Sequence, residues 1–357
     1  MRVLVCTVVH HTTDARIFRR QIGALREAGV QVVAIAPWTH HYLDDPAYQR
    51  IAIPRAVGRR RWSAWRAARA RISALAPGAQ ALVIHDPELL LVLPWRELQR
   101  LKVRVIWDVH EDLAAALEVK AYLPPLLRRL LVPAVHLLEH WAERRATLLL
   151  AESAYAQRFS RDHQVVLNLP PVPDSFPTRA RQRQAIYVGS ITRARGLDAM
   201  LEMAPVLAEH GITLRLIGEA QSAEDRVRIG ATPNVRWDGA LPNAEAMLEV
   251  EQSMVGLALL QDLPNYRHSM PTKILEYMAA GAAVVATPLP LSRSVLAEDG
   301  VLLPSFDGVA PAAAAAVIAL CDSEEYREAK TRAAFARVRE HYNWQRAQDE
   351  FVMAVRG

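Results

Sequence analysis

Short apolar runs alternate with helical patterns along most of the chain. The runs at residues 3–9, 30–36, 81–84, 103–107 and 147–151 are four to seven residues long and rich in Val, Ile and Leu. Continuous runs of this length suit strands buried on both faces. Between the first two, Phe18, Ile22 and Leu25 recur at i, i+4 and i+7 within residues 14–28. That spacing predicts a helix, with Gly29 placed to end it. Strand, helix, strand implies a right-handed parallel crossover.

The pattern breaks near residue 170. Residues 168–177 hold four prolines, and a stretch rich in Arg and Gln follows. Such a segment reads as a linker. The alternation then restarts, with predicted strands at 185–188, 213–217, 235–237, 255–260 and 283–286. Helices are predicted from Gly196, Asn243 and Pro271, and residues 324–356 are helical by period. No repeat of fixed period is found. The expected organisation is a first domain at 1–170, a linker at 171–184, a second domain at 185–335, and a C-terminal helix at 336–357 returning to the first domain. Both domains read as α/β, doubly wound and Rossmann-like, facing a central cleft, with ligands at the C-terminal ends of the strands.

The 357 residues, 51% hydrophobic and 23% charged, exclude a disordered chain. Two cysteines, Cys6 and Cys321, exclude a disulfide framework and a four-cysteine zinc site. The longest apolar run, 309–321, is too short to span a bilayer. The N-terminal run lacks the small-residue cleavage site of a signal peptide and reads as a first strand. A cytoplasmic location is expected. Residues 1–170 carry 24 Lys and Arg against 15 Asp and Glu, whereas the remainder carries 19 against 23.

Several chemistries are excluded. Val-His-His-Thr follows the first strand where a dinucleotide fingerprint would stand, and neither a P-loop nor an H-E-x-x-H motif occurs. His136 and His140 share a helix face but flank two leucines, so no metal is expected. Nucleic acid is not an expected partner, because the basic half lacks interleaved aromatics and the other half is acidic.

Two basic strand-to-helix loops stand out. Residues 264–281 place Pro271 and Lys273 at a helix start, with Ser269 or Met270 as candidate caps and Glu276 one turn on. Free N–H groups at such a start attract phosphate, and Lys273 would oppose the macrodipole unless an anion were bound. Residues 187–196 run from a strand through Gly189, Ser190, Arg193 and Arg195 to Gly196, a pattern suited to cradling a diphosphate. In the first half, three strand ends carry polar clusters: His10, His11, Asp14 and Arg16; His85 and Asp86; and Asp108, His110, Glu111 and Asp112. Three such clusters on one sheet edge are hard to explain by packing and form a candidate binding site. Asp14 also reads as a helix N-cap, and His85 as a core histidine. Residues 59–71 combine arginines with Trp62 and Trp65. A peripheral contact with an anionic membrane and a solvated helix face both fit them.

In this order and spacing the segments resemble glycosyltransferase family 4, retaining enzymes of the GT-B fold, of the bacterial surface-polysaccharide and natural-product type. The motifs that carry it are residues 11–20, 84–90, 107–112, 189–196, 234–239 and 271–281. The resemblance implies metal-independent transfer of a sugar from a nucleoside-diphosphate sugar, UDP- or GDP-linked, to a hydroxyl. The acceptor would be a saccharide, a lipid-linked group or a small molecule, held by the first domain at His10, His11, Asp14, Arg16, His85, Asp86 and Glu111. No cofactor is implied beyond the donor substrate. Lys273 and Arg195 would hold the diphosphate, Glu276 the ribose, and His110 would lie near the transferred sugar. Gly189, Ser190, Arg193, Trp237, Leu241, His268, Ser269, Pro271 and Thr272 complete the implied donor set. His268 stands where the family has the first of two glutamates, so the contact to the sugar hydroxyls differs. Ser190 stands where arginine is usual, and Arg193 is the candidate replacement cation. A nucleotide-sugar epimerase of the same fold and a non-catalytic binding or scaffold protein remain as alternatives.

Overall fold

The computed structural model describes residues 1–12, 14–38, 48–110 and 125–357, with only the backbone for 125–130. The chain forms two compact units, residues 1–168 with 345–357, and residues 169–344. Glu111 and Asp112, two residues of the expected acceptor cluster, lie outside the described residues.

Unit 1 is built on a parallel sheet. Its strands are β1 (Arg2–Cys6), β2 (Gln31–Ala36), β3 (Gln49–Ala52), β4 (Ala81–Ile84), β5 (Arg104–Val109), β6 (Thr147–Leu150) and β7 (Gln164–Val165). Their order is β3-β2-β1-β4-β5-β6-β7. The register sets Val3 against both Val32 and Ala81, and Ile84 against Trp107. Each of these central strands is apolar on both faces because helices cover both. The run predicted at 3–9 leaves the sheet at Cys6. Asp86 captures the N–H groups of Val8 and Val9 and so turns the chain away. The helix Arg61–Leu75 buries Ala64, Ala68 and Ile72, a small-residue stripe at i, i+4 and i+8 that seats it close to the sheet.

The predicted helix at 14–28 begins as a π-helical turn, Ala15–Gln21, and becomes α-helical over Ile22–Glu27. The wider turn closes through the Ile22 N–H on the Ile17 carbonyl. It brings Arg16, Ile17, Arg20 and Gln21 onto the buried side together. π-turns of this kind recur at functional sites.

Unit 2 carries β8 (Gln182–Val188), β9 (Thr213–Ile217), β10 (Val235–Trp237), β11 (Ser253–Ala258), β12 (Ala283–Ala286) and β13 (Val301–Leu302), in the order β10-β9-β8-β11-β12-β13. All pairings are parallel. The last residues of the segment predicted as linker, 182–184, therefore belong to β8. The helix Leu197–Glu209 packs its apolar face, including Leu197, Met200, Ala204 and Leu207, into a core shared with the alanine-rich helix Val309–Asp322. Each fully buried leucine contributes on the order of 2 kcal/mol. The period read over 324–356 is interrupted. One helix spans Glu324–His341, and the next, Trp344–Arg356, starts after Trp344 donates its N–H to the Pro170 carbonyl at 2.9 Å.

Candidate active site

In unit 2 the loops leaving β8, β9 and β11 emerge at one edge of the sheet, because the strands are parallel neighbours. Glycine lets these loops interlock. Gly189, at φ +143°, donates to the Ile217 carbonyl at 2.8 Å. A Cβ on Gly218 would overlap the Gly189 carbonyl, and one on Gly196 would overlap the Leu259 carbonyl. Gly218 in turn donates to the Gly239 carbonyl at 2.6 Å and accepts from the Trp237 indole at 2.9 Å. The expected donor-set residue Trp237 is thereby tied to the same edge. Leu241 lies two residues beyond Gly239 and is half-buried.

Two cations converge on Gly189. A Cβ there would lie 3.0 Å from Lys273 Cε and 3.7 Å from Arg195 Nη1. The Arg195 guanidinium lies beside the hydroxyls of Tyr187 and Tyr266, which raise its pKa against the effect of burial. Burial pushes the Tyr187 phenol above its usual value even with Arg195 beside it, and its hydroxyl donates to the Ser190 carbonyl at 2.9 Å. The Ser190 hydroxyl accepts from Gln221 at 3.0 Å. Lys273 Nζ lies 3.2 Å from Glu276 Oε2, and the Glu276 residue is 8% exposed. The helix they share, Thr272–Ala279, has Pro271 as its N-cap, one or two residues later than the expected Ser269 or Met270. Ser269, Pro271 and Thr272 are half-buried beside it, and His268 is exposed. Arg193 is not part of this convergence. Its guanidinium pairs with Glu224 and Asp225 instead. Tyr187, Tyr266 and Gly218 were not anticipated. Of the three, only the glycine directly after a strand left a signal in the sequence.

The polar strand ends of unit 1 also meet. Asp86 Oδ2 accepts from the Thr7 hydroxyl at 2.8 Å and the Val8 N–H at 2.5 Å. Asp108 is fully buried and receives a fork from Arg16, Nε at 2.8 Å and Nη2 at 2.6 Å, with Gln21 at 2.9 Å and His85 Nδ1 at 3.2 Å. Burial opposes ionisation of Asp108, but the Arg16 charge and these donors hold its carboxyl well below the usual range. Arg16 thus faces the interior as the counterion of a buried carboxylate 92 residues away, with its Nη1 left without a hydrogen-bond partner. Asp14 is the helix N-cap, accepting from the Ile17 N–H at 3.0 Å. Although burial works against it, the His10 and Ile17 contacts lower the Asp14 pKa to about 2.

His110 Nδ1 donates to the Asp108 carbonyl at 3.1 Å, and its Nε2 lies 2.9 Å from His10 Nε2. His10 sits between two carboxylates, with Nδ1 3.5 Å from Asp14 and Nε2 3.3 Å from Asp86. His11 is exposed. These groups border a pocket of about 230 Å³ whose lining includes His10, His85, Asp86, Glu88 and His110. Among the described residues, His85, Asp108 and His110 group as metal-ligand types, their donor atoms within 4.8 Å of one another. Of the Asp108 oxygens, Oδ1 accepts from Arg16 and Oδ2 from Arg16, Gln21 and His85.

Residues 182–323 match the family model for glycosyl transferases group 1. No curated protein matches the chain. Among solved structures, sucrose-phosphate synthase from Thermosynechococcus elongatus aligns with a TM-score of 0.70 and 18% identity, over 99% of this chain and 98% of that one. HepE from Anabaena, in complex with UDP and glucose, aligns with a TM-score of 0.71 and 14% identity over 100% and 99%. WaaG, a glycosyltransferase involved in lipopolysaccharide biosynthesis, aligns with a TM-score of 0.70 and 14% identity over the full length of both. The fold is that of the GT-B glycosyltransferases.

Proposed function

We propose that this chain, a GT-B fold whose second unit matches group 1 glycosyl transferases, is a retaining transferase. It moves a sugar from a nucleoside-diphosphate sugar to a hydroxyl acceptor. The observation that carries the reading is the convergence of Lys273 and Arg195 on Gly189 at one sheet edge. A glycine that leaves its Cβ position open between two cations and a helix start is a fitting seat for a diphosphate. Glu276, one turn along that helix, is the proposed ribose contact.

In this reading the two cations and the helix N-terminus stabilise the diphosphate as negative charge develops on it. Preorganised donors of this kind contribute about 3 kcal/mol each. They supply the neutralisation that a divalent ion would otherwise give, so we propose a metal-independent reaction. Retention follows if the departing diphosphate assists attack from its own face, without a covalent intermediate on the enzyme. The structural match to a UDP complex supports a nucleotide-sugar donor. Unit 1 is the proposed acceptor side, with His110 and His10 at its pocket.

The test is a thermal-shift screen of UDP, GDP, TDP and ADP sugars, followed by kinetics on variants. Binding of one nucleotide should raise the melting temperature by mass action. Lys273→Ala and Arg195→Ala should each lower turnover about 100-fold without unfolding the protein. Near-wild-type kinetics in both variants would remove this donor site.

A further inference from the structure

The unit 1 pocket has a polarity of its own. His85 is completely buried, and its Nδ1 faces Asp108 Oδ2 at 3.2 Å. Asp108 is ionised within the Arg16 fork and can only accept, so His85 Nδ1 carries the hydrogen. Burial lowers the His85 pKa despite Asp108. The ring is therefore neutral, and Nε2 is a bare lone pair with no hydrogen-bond partner. Across the pocket, Glu88 Oε2 lies 3.1 Å from Arg61 Nε, while Oε1 is buried and has no hydrogen-bond partner. Buried acceptors left without donors are rare and costly, about 1–3 kcal/mol each. Burial, helped by the charge of Asp86, raises the Glu88 carboxyl even with Trp65 and Arg61 nearby.

The remaining wall includes Val9, Val109 and Trp107, whose buried indole N–H is a donor without a hydrogen-bond partner. The volume, about 230 Å³, is several times the roughly 30 Å³ share of one liquid water. Two unmatched acceptors, one unmatched indole donor and a carboxylate-rich rim call for a ligand whose hydroxyls both donate and accept and which carries no negative charge. A phosphate or carboxylate would meet Asp86 and Glu88, with Arg61 already neutralised by Glu88.

We propose that this pocket is a subsite for an uncharged saccharide ring of the acceptor, with His85 Nε2 and Glu88 Oε1 each accepting a hydrogen bond from one of its hydroxyls. The inference rests on the transferase reading, since it names the acceptor chemistry of that enzyme. It makes Glu88 and His85 specificity-determining residues. Asp108 and Arg16 act behind them by fixing the His85 tautomer.

The probes are methyl glucopyranoside, methyl mannopyranoside and glucose 6-phosphate, with UDP binding followed in parallel as a report on unit 2. A methyl glycoside should give saturation-transfer NMR signals and shift the His85 Nε2 resonance of ¹⁵N-histidine-labelled protein. Glu88→Ala should weaken that binding at least fivefold and leave UDP affinity within twofold. Glu88→Gln, which keeps the shape, should retain more binding than Glu88→Ala. Glucose 6-phosphate should bind more weakly than its uncharged counterpart.

Binding of neither glycoside while UDP still binds would overturn the subsite and leave the transferase reading standing. Unchanged glycoside affinity in Glu88→Ala, or tighter binding of glucose 6-phosphate, would overturn it equally. Glycoside binding with the expected Glu88 dependence in a protein that binds no nucleotide would uphold the pocket and remove the donor reading. Because Glu88 is partly exposed, its variants keep the test open should a His85 variant fail to fold.

Discussion

Replacing Gly189 with alanine separates backbone strain from ligand chemistry at the proposed diphosphate seat. At φ +143° an L-residue is strained by about 1–3 kcal/mol. The new methyl would sit 3.0 Å from Lys273 Cε and 3.3 Å from the Tyr187 hydroxyl. Tyr187 is held by its bond to the Ser190 carbonyl, so the flexible lysine is the group that gives way. A displaced ammonium loses one charge-assisted hydrogen bond to the ligand, about 1.5–3 kcal/mol. At 1.4 kcal/mol per factor of ten, that is about 10- to 100-fold in affinity. Gly211 is the control: its φ is +64° and nothing lies within 4 Å of its Cβ position. Gly211→Ala should carry the strain alone, about 1–2 kcal/mol, and leave nucleotide binding unchanged. Urea melts report the stability of both variants, and calorimetry with UDP and GDP reports the affinity. If Gly189→Ala loses stability but binds nucleotide within twofold of wild type, the two cations do not serve an anion at this glycine.

Three further outcomes are expected. Glu276→Ala should weaken free nucleoside diphosphate and the full donor alike, by about 1–3 kcal/mol, whereas His268→Ala should spare the nucleoside diphosphate and alter the rates of two epimeric donors; equal nucleotide losses in calorimetry would contradict the split. Glu143 caps residues 160–163 through Ser160, Arg161 and His163, and although burial opposes its ionisation, these donors lower its pKa from 4.5 to about 2. Its contribution is therefore complete above pH 4.5 and lost as pH falls toward 2, so Glu143→Gln should flatten the acid limb of a urea-midpoint profile, and an unchanged limb would refute this. Trp62, 70% exposed and edge-on to Trp65, stands beside Arg59, Arg60 and Arg61; anionic vesicles should co-sediment with the protein at low salt, less so in the triple Arg→Ser variant, and absence of binding would leave a solvated helix face.

The strands legible in the sequence were those whose side chains are buried on both faces. The runs at 81–84, 213–217 and 283–286 match β4, β9 and β12 residue for residue, and the edge strand β10 was also read, at 235–237, because Val235 and Trp237 favour a strand. β3, β7 and β13 escaped because edge strands need few apolar residues; β7 and β13 are two residues each, and β3 begins Gln-Arg. The two basic loops of unit 2 were legible because glycine and cations recur there locally. What pairs with what was not. Arg193 and Arg195 look equivalent in sequence, but one faces acidic residues 224 and 225 and the other two tyrosines. The pairing of Arg16 with Asp108 depends on a π-turn that apolar spacing does not encode. The Glu88 acceptor was overlooked because a glutamate after a proline reads as an ordinary first-turn residue.

Unit 1 is not a contiguous piece of chain, since residues 345–357 complete it. Arg104 donates to the Val355 carbonyl, Arg356 to the Ala28 carbonyl, and Gln164 to the Glu350 carbonyl. During synthesis, at about 5–20 residues per second, this closing segment begins to emerge about 9–35 seconds after residue 168. Unit 2 lies wholly between the two parts and can finish folding first. The nascent first unit must wait in an incomplete state for its final helix, so its maturation is timed by translation of the other unit, and slowing the ribosome there prolongs the interval in which chaperones and proteases meet it.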